Sequence, residues 1–531
     1  MTVETVDAVV IGAGPNGLVA ANALADFGWD VLLLEANDTV GGAVRSAEIT
    51  APGFRSDLFS AFYPLAAASP VIRNLDLGNH GLTWVQAEKV LAHALPDGRA
   101  AVLARNPEQT AAGLDEFAGG DGQAWLDMFA GWRKIRDPLL DAMFTPFPPV
   151  KSLLGLLRRT KLSGALDLAR LGVLPVRRFA EENFAGVGGP LLLTGNALHA
   201  DVPPEAAGSG VFGWLLAMLG QDVGFPVPQG GAQFLASALR GRFESLGGQV
   251  RTGARVTSVV TSAGRAVGVR TEAGSAIKAR HAVLADVDAC TLFRDLVGLD
   301  SLPNGMKGDL DRFQWDHPTL KLNWALRSPV PWRATGAVGA GTVHLGVDLD
   351  GFVEFAGDLT LGRSPKHPFV LFGQMTTADP TRSPAGTESA WAYTHVPRTV
   401  ADSPELLAEH VERVQDHIEQ VAPGFGAAVL ARTVQLPGDL HSADANLVTG
   451  AINGGTSYPP QQLFFRPIKG LGRPETPIEG LFLASASAHP GGGVHGACGW
   501  NAARSAMHAS GPVNAVRRRL VRTAWARVLS P

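Results

Sequence analysis

A chain of 531 residues is too long for one ordinary hydrophobic core, so two or more domains are expected. With 46% hydrophobic and 18% charged residues, the composition is that of a globular protein and excludes a disordered one. The net charge of −4 argues against a general nucleic-acid-binding protein. The sequence predicts neither a membrane-spanning helix nor a cleavable signal peptide, because no uncharged apolar run is long enough to span a bilayer and the first strand begins at once.

The chain begins with a pattern typical of a nucleotide-binding strand, turn and helix. An apolar run at residues 7–11 leads into Gly12-x-Gly14-x-x-Gly17, and a second apolar run ends at Glu35. Gly12 permits a tight turn, Gly14 lets the backbone approach a pyrophosphate, and Gly17 lets the helix pack closely on the strand. The helix start would face the phosphates and Glu35 the ribose hydroxyls, so this unit predicts a bound dinucleotide. The alternative is a plain βαβ unit with a glycine turn.

A second glycine pair follows Glu35 and indicates which dinucleotide is bound. Gly41, Gly42 and Arg45 resemble the glycine pair and arginine that lie near the FAD pyrophosphate in two-dinucleotide-binding-domain flavoproteins. NAD dehydrogenases generally lack this element, so the resemblance implies FAD. An acidic residue at position 35 also fits a free ribose hydroxyl better than a 2′-phosphate.

Two later stretches carry similar patterns and predict a discontinuous domain. One begins with Pro-Gln-Gly-Gly at residues 228–231 and continues as a helix and strand-like runs. The other is an apolar run at residues 480–486, followed by three glycines and a helix from about Ala497. The predicted domains are an FAD-binding domain of residues 1–75, 228–295 and 475–531, and an α+β substrate domain of residues 76–227 and 296–474.

Together, these motifs resemble the phytoene desaturase family of FAD-dependent oxidoreductases, which includes carotenoid desaturases, isomerases and retinol saturases. The resemblance rests on residues 7–45, residues 228–231, and the segment His-Pro-Gly-Gly-Gly-Val-His-Gly at residues 489–496. It implies an α/β fold in which a Rossmann-like FAD domain is interrupted by an inserted substrate domain. A further element is similar to a branch named after pyridine nucleotide-disulphide oxidoreductase domain-containing protein 2, and it comprises Gly454, Gln462, Arg466 and Pro467.

The resemblance also implies that the C-terminal glycine loop lies beside the flavin. Glycines let the backbone approach a flat ring, and helix N–H groups near the pyrimidine carbonyl would stabilise an anionic reduced flavin. The cofactor-binding residues predicted from the motifs and the resemblance are Gly12, Gly14, Pro15, Asn16, Gly17, Glu35, Ala36, Gly41, Gly42, Arg45, Val256, Gly492, Gly493, Val494, His495 and Asn501.

Spacing alone fixes no catalytic acid or base, because a flavin accepts hydride or electron pairs itself. His495 is the first candidate, since the motif places it beside the flavin, and its alternative role is to cap a helix. His199 and Tyr458 are weaker candidates, and a histidine on an apolar segment is usually a buried core residue.

The two cysteines, Cys290 and Cys498, form no Cys-x-x-Cys pair, which excludes a dithiol mechanism and a disulfide framework. Cys498 lies in the C-terminal glycine motif, where it is either a site for a covalent flavin or a small buried residue. No spacing of ligand residues predicts a metal site. So few cysteines fit a reducing cytoplasm.

Two basic stretches, residues 151–178 and 513–531, also carry leucines or a tryptophan. Basic amphipathic helices bind anionic membranes, so these stretches predict peripheral association with the inner membrane face. A solvated helix face or an oligomer contact is the alternative.

The predicted activity is oxidation of a lipophilic polyene or isoprenoid-like substrate by hydride transfer to flavin N5. A flavin-dependent isomerase or saturase, and a membrane-associated interaction protein with structural FAD, remain as alternatives. An amine oxidase would require an aromatic pair flanking the flavin, which the C-terminal motif does not contain.

Overall fold

The computed structural model of the protein describes residues 4–346 and 348–509. The strands in chain order are β1 (Glu4–Ile11), β2 (Val31–Leu34), β3 (Ser46–Ala47), β4 (Ser56–Asp57), β5 (Trp84–Val85), β6 (Lys89–Ala94), β7 (Ala100–Ala104), β8 (Val227–Pro228), β9 (Gln249–Arg251), β10 (Val256–Ser262), β11 (Arg265–Thr271), β12 (Ala276–Ala285), β13 (Thr319–Leu326), β14 (Ala340–Leu345), β15 (Val370–Gln374), β16 (Glu388–His395), β17 (Val429–Gln435) and β18 (Leu481–Leu483). The α-helices are α1 (Pro15–Asp26), α2 (Pro64–Ala68), α3 (Pro70–Arg73), α4 (Pro107–Asp115), α5 (Asp121–Phe144), α6 (Val150–Leu171), α7 (Val176–Asn183), α8 (Gly188–His199), α9 (Ser209–Val223), α10 (Gln233–Ser245), α11 (Asn304–Asp311), α12 (Leu349–Thr360), α13 (Met375–Ala378), α14 (Arg398–Ala401), α15 (Pro404–Val421), α16 (Phe425–Ala428), α17 (Pro437–Ala443) and α18 (Ala497–Ala509).

The first sheet has the strand order β10-β11-β12-β1-β2-β9, and β18 pairs with β12. Strands β18, β12, β1, β2 and β9 run parallel to one another. Their apolar runs are buried on both faces, as is usual in parallel sheets. Helices α1, α10 and α18 contribute to the core on one face. This is the α/β arrangement expected from the sequence.

The register of the first sheet aligns three strand ends. Ile11 at the end of β1 lies opposite Leu34 of β2 and Ala285 of β12. The residues that follow these strands are therefore neighbours at one edge of the sheet, where α/β proteins usually bind their ligands.

The second sheet has the strand order β17-β13-β16-β15-β14-β6-β7. Successive strand residues point to opposite faces, and the two faces of this sheet differ in chemistry. One is apolar and is covered by α15, which buries Leu407, Val411, Val414 and Ile418 at helical spacing. The other is called the polar face, and its residues are His93, Thr319, Lys321, Asn323, Thr342, His344, Trp391, Tyr393 and His395.

The polar face is turned toward the FAD-binding domain and toward α8. The Lys321 ammonium donates to the carbonyl of Asp57, and the Thr433 hydroxyl donates to the carbonyl of Ile49 at 2.6 Å. Helix α8 lies so close to His344 that a Cβ at Gly195 would collide with the imidazole. The polar face therefore lies between the two domains.

The chain segments of the two sheets are interleaved. The strands of the first sheet lie within residues 4–34, 249–285 and 481–483, and those of the second lie within residues 89–104 and 319–435. In the described part of the chain, no helix is long and apolar enough to cross a bilayer.

Candidate cofactor and active site

A cleft opens where β1, β2 and β12 end. It encloses about 1250 Å³ between the protein atoms, including the part that opens to solvent. Its wall includes the glycine turn, residues 34–37, residues 286–288 and residues 442–447.

The glycine turn has the geometry that an approaching pyrophosphate requires. Gly12 has a φ of +91°, and a Cβ at Gly17 would collide with the Gly12 carbonyl oxygen. A Cβ at Gly42 would lie 3.0 Å from the Cα of Gly14, so the second glycine pair packs directly on the first turn. The missing side chains let the turn, Asp286 and the second glycine pair pack on one another, and Gly14 and Asn16 at the start of α1 line the cleft.

Glu35 follows β2 and lies against the glycine turn, and its side chain is held by the backbone. Its Oε2 accepts a hydrogen bond from the Ala13 N–H at 2.8 Å, and its Oε1 accepts one from the Asn37 N–H at 2.8 Å. The carboxylate is therefore fixed beside the position expected for a ribose.

Asp286 is a cleft residue that the sequence motifs did not reveal. It follows β12, and its Oδ2 accepts a hydrogen bond from the Gly17 N–H at 2.7 Å. Burial, with Asp444 and Glu35 nearby, raises the pKa of this carboxyl to about 8. An acid directly after the apolar run that ends at Ala285 was the available signal, because the ends of parallel strands meet at one edge.

The opposite wall comes from residues 442–447, which the predicted boundaries place in the substrate domain. The Asn446 amide donates to the carbonyl of Asp286 at 3.1 Å and accepts from the Asp288 N–H at 2.9 Å. Arg45 donates to the carbonyls of Gly42 at 2.9 Å and Ala443 at 2.6 Å. Arg45 thus ties the second glycine pair to this wall.

His495 lies at the start of α18 and is fully engaged with the backbone. Its Nδ1 accepts from the Ala497 N–H at 3.0 Å, and its Nε2 donates to the Gly491 carbonyl at 3.1 Å. Burial lowers its pKa to about 4, so the ring is neutral near pH 7. Because both ring nitrogens are occupied, the geometry favours the helix-cap role over proton exchange with a ligand.

The remaining C-terminal candidates lie along the same loop and helix. The backbone of Asn453 packs on Gly492, where an added Cβ would lie 3.0 Å from the Asn453 carbonyl oxygen. Asn501 is buried and donates to the Phe144 carbonyl at 2.9 Å, away from the cleft. Burial raises the pKa of the Cys498 thiol to about 12, so this residue is a buried thiol and not a thiolate.

Comparisons with known proteins agree with this geometry. The model of the family described as flavin containing amine oxidoreductase matches residues 16–507. The chain belongs to this family. The family and its structural neighbours bind FAD, and the cofactor of this protein is FAD.

Three relatives each match this chain over more than nine-tenths of its length and of their own. Mouse pyridine nucleotide-disulfide oxidoreductase domain-containing protein 2 is 29% identical over 94% of this chain and 92% of its own length. One of the subunits of limonene dehydrogenase from Castellaniella defragrans is 23% identical, with coverage of 95% and 94%. A neurosporene-forming phytoene desaturase of Rhodobacter capsulatus is 23% identical, with coverage of 92% and 91%. The resemblance to the phytoene desaturase family is thereby confirmed.

Solved structures share the fold at low sequence identity. An oxidoreductase from Methanosarcina mazei superposes with a TM-score of 0.61 at 16% identity, covering 94% of this chain and 99% of its own. A putrescine oxidase variant gives a TM-score of 0.60 at 16% identity, covering 96% and 99%. The expected Rossmann-like FAD domain with a substrate domain is therefore confirmed.

The chain's own residues provide a cradle that fits FAD. The glycine turn and helix start that line the cleft fit the pyrophosphate of its ADP half, and the fixed carboxylate of Glu35 fits the ribose. The predicted cofactor residues that line the cleft are Gly12, Gly14, Asn16, Glu35, Ala36, Gly42 and Val256. The others lie in the supporting turns or along the C-terminal loop and helix, and they are Pro15, Gly17, Gly41, Arg45, Gly492, Gly493, Val494, His495 and Asn501.

The other two catalytic candidates, His199 and Tyr458, lie near the polar face of the second sheet. His199 ends α8, and its ring centroid lies 6.0 Å from that of His344 and 6.4 Å from that of Tyr393. Tyr458 is half-buried, and burial together with Asp201 raises its pKa. His199 and Tyr458 thus lie near one group of polar side chains, whereas His495 lies under the C-terminal loop.

Proposed function

We propose that this protein is an FAD-dependent oxidoreductase that dehydrogenates a lipophilic, isoprenoid-like substrate. The observation that carries the proposal is its match, over more than nine-tenths of each chain, to proteins named for limonene and phytoene. The coverage includes both the cofactor domain and the inserted domain. When bound, FAD supplies a two-electron acceptor for hydride from a substrate C–H bond.

The protein's own part is to bind and orient the substrate between its domains. Aromatic residues of the polar face, with Trp391 and Tyr393 stacked at 5.9 Å between centroids, give an apolar chain a surface to contact. Carbonyls, glycines and neutral histidines surround the C-terminal loop. This environment suits a reaction in which no carboxylate of the enzyme takes up or releases a proton.

The test is anaerobic mixing of the FAD-loaded protein with phytoene or limonene. The oxidised flavin absorbance should fall as substrate is consumed, and mass spectrometry should find a product two hydrogen atoms lighter. Squalane, a saturated hydrocarbon, and putrescine serve as controls that should leave the absorbance unchanged. No fall with any isoprenoid, in protein whose flavin dithionite still reduces, would refute the proposal.

The same experiment separates the alternatives. An isomerase or saturase would require flavin that has first been reduced, and an isomerase would give a product of unchanged mass. A protein with structural FAD would give no substrate-dependent change in either flavin state.

The proposal includes docking on an anionic membrane through α6. Its exposed apolar residues include Leu154, Leu157, Leu162 and Leu166, of which Leu162 is 73% exposed. Exposed leucines beside basic side chains are the combination that binds anionic bilayers.

The basic charge available on this surface is smaller than the sequence indicates. Arg170, Arg177 and Arg178 pair with Glu181 or Glu182. Lys151, Arg158 and Lys161 form no ion pair with the described residues. The second predicted segment, residues 513–531, lies outside the described residues.

Sedimentation with phosphatidylglycerol liposomes tests this surface. The protein should pellet at low salt, and the double substitution Leu154→Asp with Leu157→Asp should leave it in the supernatant. Leu361→Asp changes a leucine elsewhere that is 61% exposed and should not alter pelleting. Equal recovery of the wild-type protein with and without liposomes would refute membrane docking.

A further inference from the structure

A group of buried polar side chains lies at one end of the polar face. His395 ends β16, directly opposite Thr319 of β13, and its side chain is 3% exposed. Asp201 follows α8 in a left-handed conformation with a φ of +57°, and its Oδ1 lies 3.9 Å from His395 Nε2. Two residues that are far apart in the chain thus form one pair.

The hydrogen bonds of this pair leave atoms for a ligand. The Asp201 Oδ2 accepts from the His317 N–H at 3.1 Å. The His395 Nδ1 lies 3.3 Å from the His317 carbonyl, to which its proton can be donated. Among the described residues, His395 Nε2 has no hydrogen-bond partner, and neither does Nδ1 of the nearby His199.

One loop separates the polar group around His395 and Asp201 from the cofactor cleft. The Asp316 carboxylate accepts from the backbone N–H groups of Ile452 at 2.7 Å and Asn453 at 3.1 Å. Ile452 lines the cofactor cleft, and Asn453 packs on Gly492 of the C-terminal loop. The side chains of His317, Tyr393 and Tyr458 are half-buried. Asp316 thus connects the group to the wall of the cofactor cleft.

A plain hydrocarbon is a poor ligand for this group. Covering a buried polar atom without giving it a hydrogen-bond partner is unfavourable, and a hydrocarbon can supply no such partner. Burial lowers the pKa of His395 and raises that of Asp201 to about 6, so near pH 7 an imidazole nitrogen and a carboxylate can both accept a hydrogen bond from a hydroxyl.

We propose that the substrate carries an oxygen-bearing polar group at one end of its apolar body, and that His395 and Asp201 bind this group. The proposal rests on the proposed function and narrows its substrate class. It assigns His395 and Asp201 as binding residues that set which end of the substrate lies away from the flavin.

Paired probes test this assignment in the FAD-loaded protein. Geranylgeraniol is compared with the hydrocarbon of the same skeleton and double bonds that lacks the hydroxyl, with binding followed by the change in flavin absorbance. The alcohol should bind at least about tenfold more tightly, because one hydrogen bond to an otherwise unpaired group separates the two. His395→Phe should bring the two dissociation constants within about twofold.

Two further variants control for packing. His410→Phe replaces another buried histidine, on α15 beyond the apolar face, and should keep the preference for the alcohol. His395→Gln keeps an acceptor and should keep part of the preference, even if the phenylalanine variant folds poorly. Retention of bound flavin checks the fold of each protein.

Equal affinities in the wild-type protein, or an undiminished preference in His395→Phe, would overturn the inference. Absence of alcohol binding would do the same. If hydrocarbon isoprenoids still bleached the flavin in those cases, the proposed function would stand without it. If alcohol binding followed the prediction but no isoprenoid bleached the flavin, the proposed function would fail instead.

Discussion

Asp286 gives the sharpest prediction about cofactor binding. Its Oδ2 accepts a hydrogen bond from the Gly17 N–H at 2.7 Å, so the carboxyl lies against the turn where the pyrophosphate is expected. FAD brings two negative charges to this turn, so the protein should bind it best when Asp286 is protonated. Replacing it with Asn removes the charge and keeps the shape.

The magnitude follows from a pKa of about 8. The protonated fraction is about 0.9 at pH 7 and about 0.1 at pH 9, so the dissociation constant of FAD should rise about tenfold between these values, which is about 1.4 kcal/mol. The same sign applies to stability. A carboxyl whose pKa is raised on folding destabilises the apoprotein as the pH rises from the unfolded value of 3.8 toward about 8.

The assay is fluorescence titration of apoprotein with FAD at several pH values between 7 and 9. The wild-type affinity should fall with rising pH, and Asp286→Asn should show a flat profile. Asp288→Asn, two residues farther on, removes a carboxylate that accepts from Thr291 at 3.0 Å and should keep the wild-type slope. A flat wild-type profile, or a slope retained in Asp286→Asn, would refute the reasoning.

Three further predictions concern the frame around the site. Gly17→Ala should abolish FAD retention, measured by flavin absorbance after gel filtration, because its Cβ meets the Gly12 carbonyl; Gly131→Ala, in open space on α5, should retain FAD. His495→Ala should lower the free energy of unfolding by about 1 kcal/mol through the lost helix cap, without slowing flavin reduction by substrate; slowed reduction at unchanged stability would restore a catalytic role. Arg382→Met should cost about 3–5 kcal/mol in denaturant titrations, because it leaves Asp57 buried without its partner; a loss below about 1 kcal/mol would contradict this.

The cofactor site could be predicted wherever its parts are close in sequence. Gly12, Gly14, Gly17 and Glu35 belong to one βαβ unit, so spacing alone indicates their roles. Asp286 lies 269 residues from Gly17, and only the pairing of β12 with β1 brings it to the turn. The sequence by itself does not show that β12 pairs with β1.

The second sheet is harder to predict in detail. His395 and Asp201 meet because β16 and the end of α8 converge, and neither residue belongs to a recognisable motif. The alternation of polar and apolar residues in β13, from Thr319 to Leu326, is typical of a strand, but it does not show which strands lie beside it or what its polar face contacts. The motif identifies His495, but its hydrogen bonds become visible only in the folded loop.

The two faces of the second sheet have a consequence for how this protein could change its substrate. Along β13 and β16, odd-numbered residues face the neighbouring domain and even-numbered residues fill the apolar core. A combinatorial library restricted to positions 319, 321, 323, 393 and 395 would vary the polar face while leaving the apolar core beneath α15 intact. Because successive residues of a strand point to opposite faces, positions that could be varied alternate with positions that the core requires.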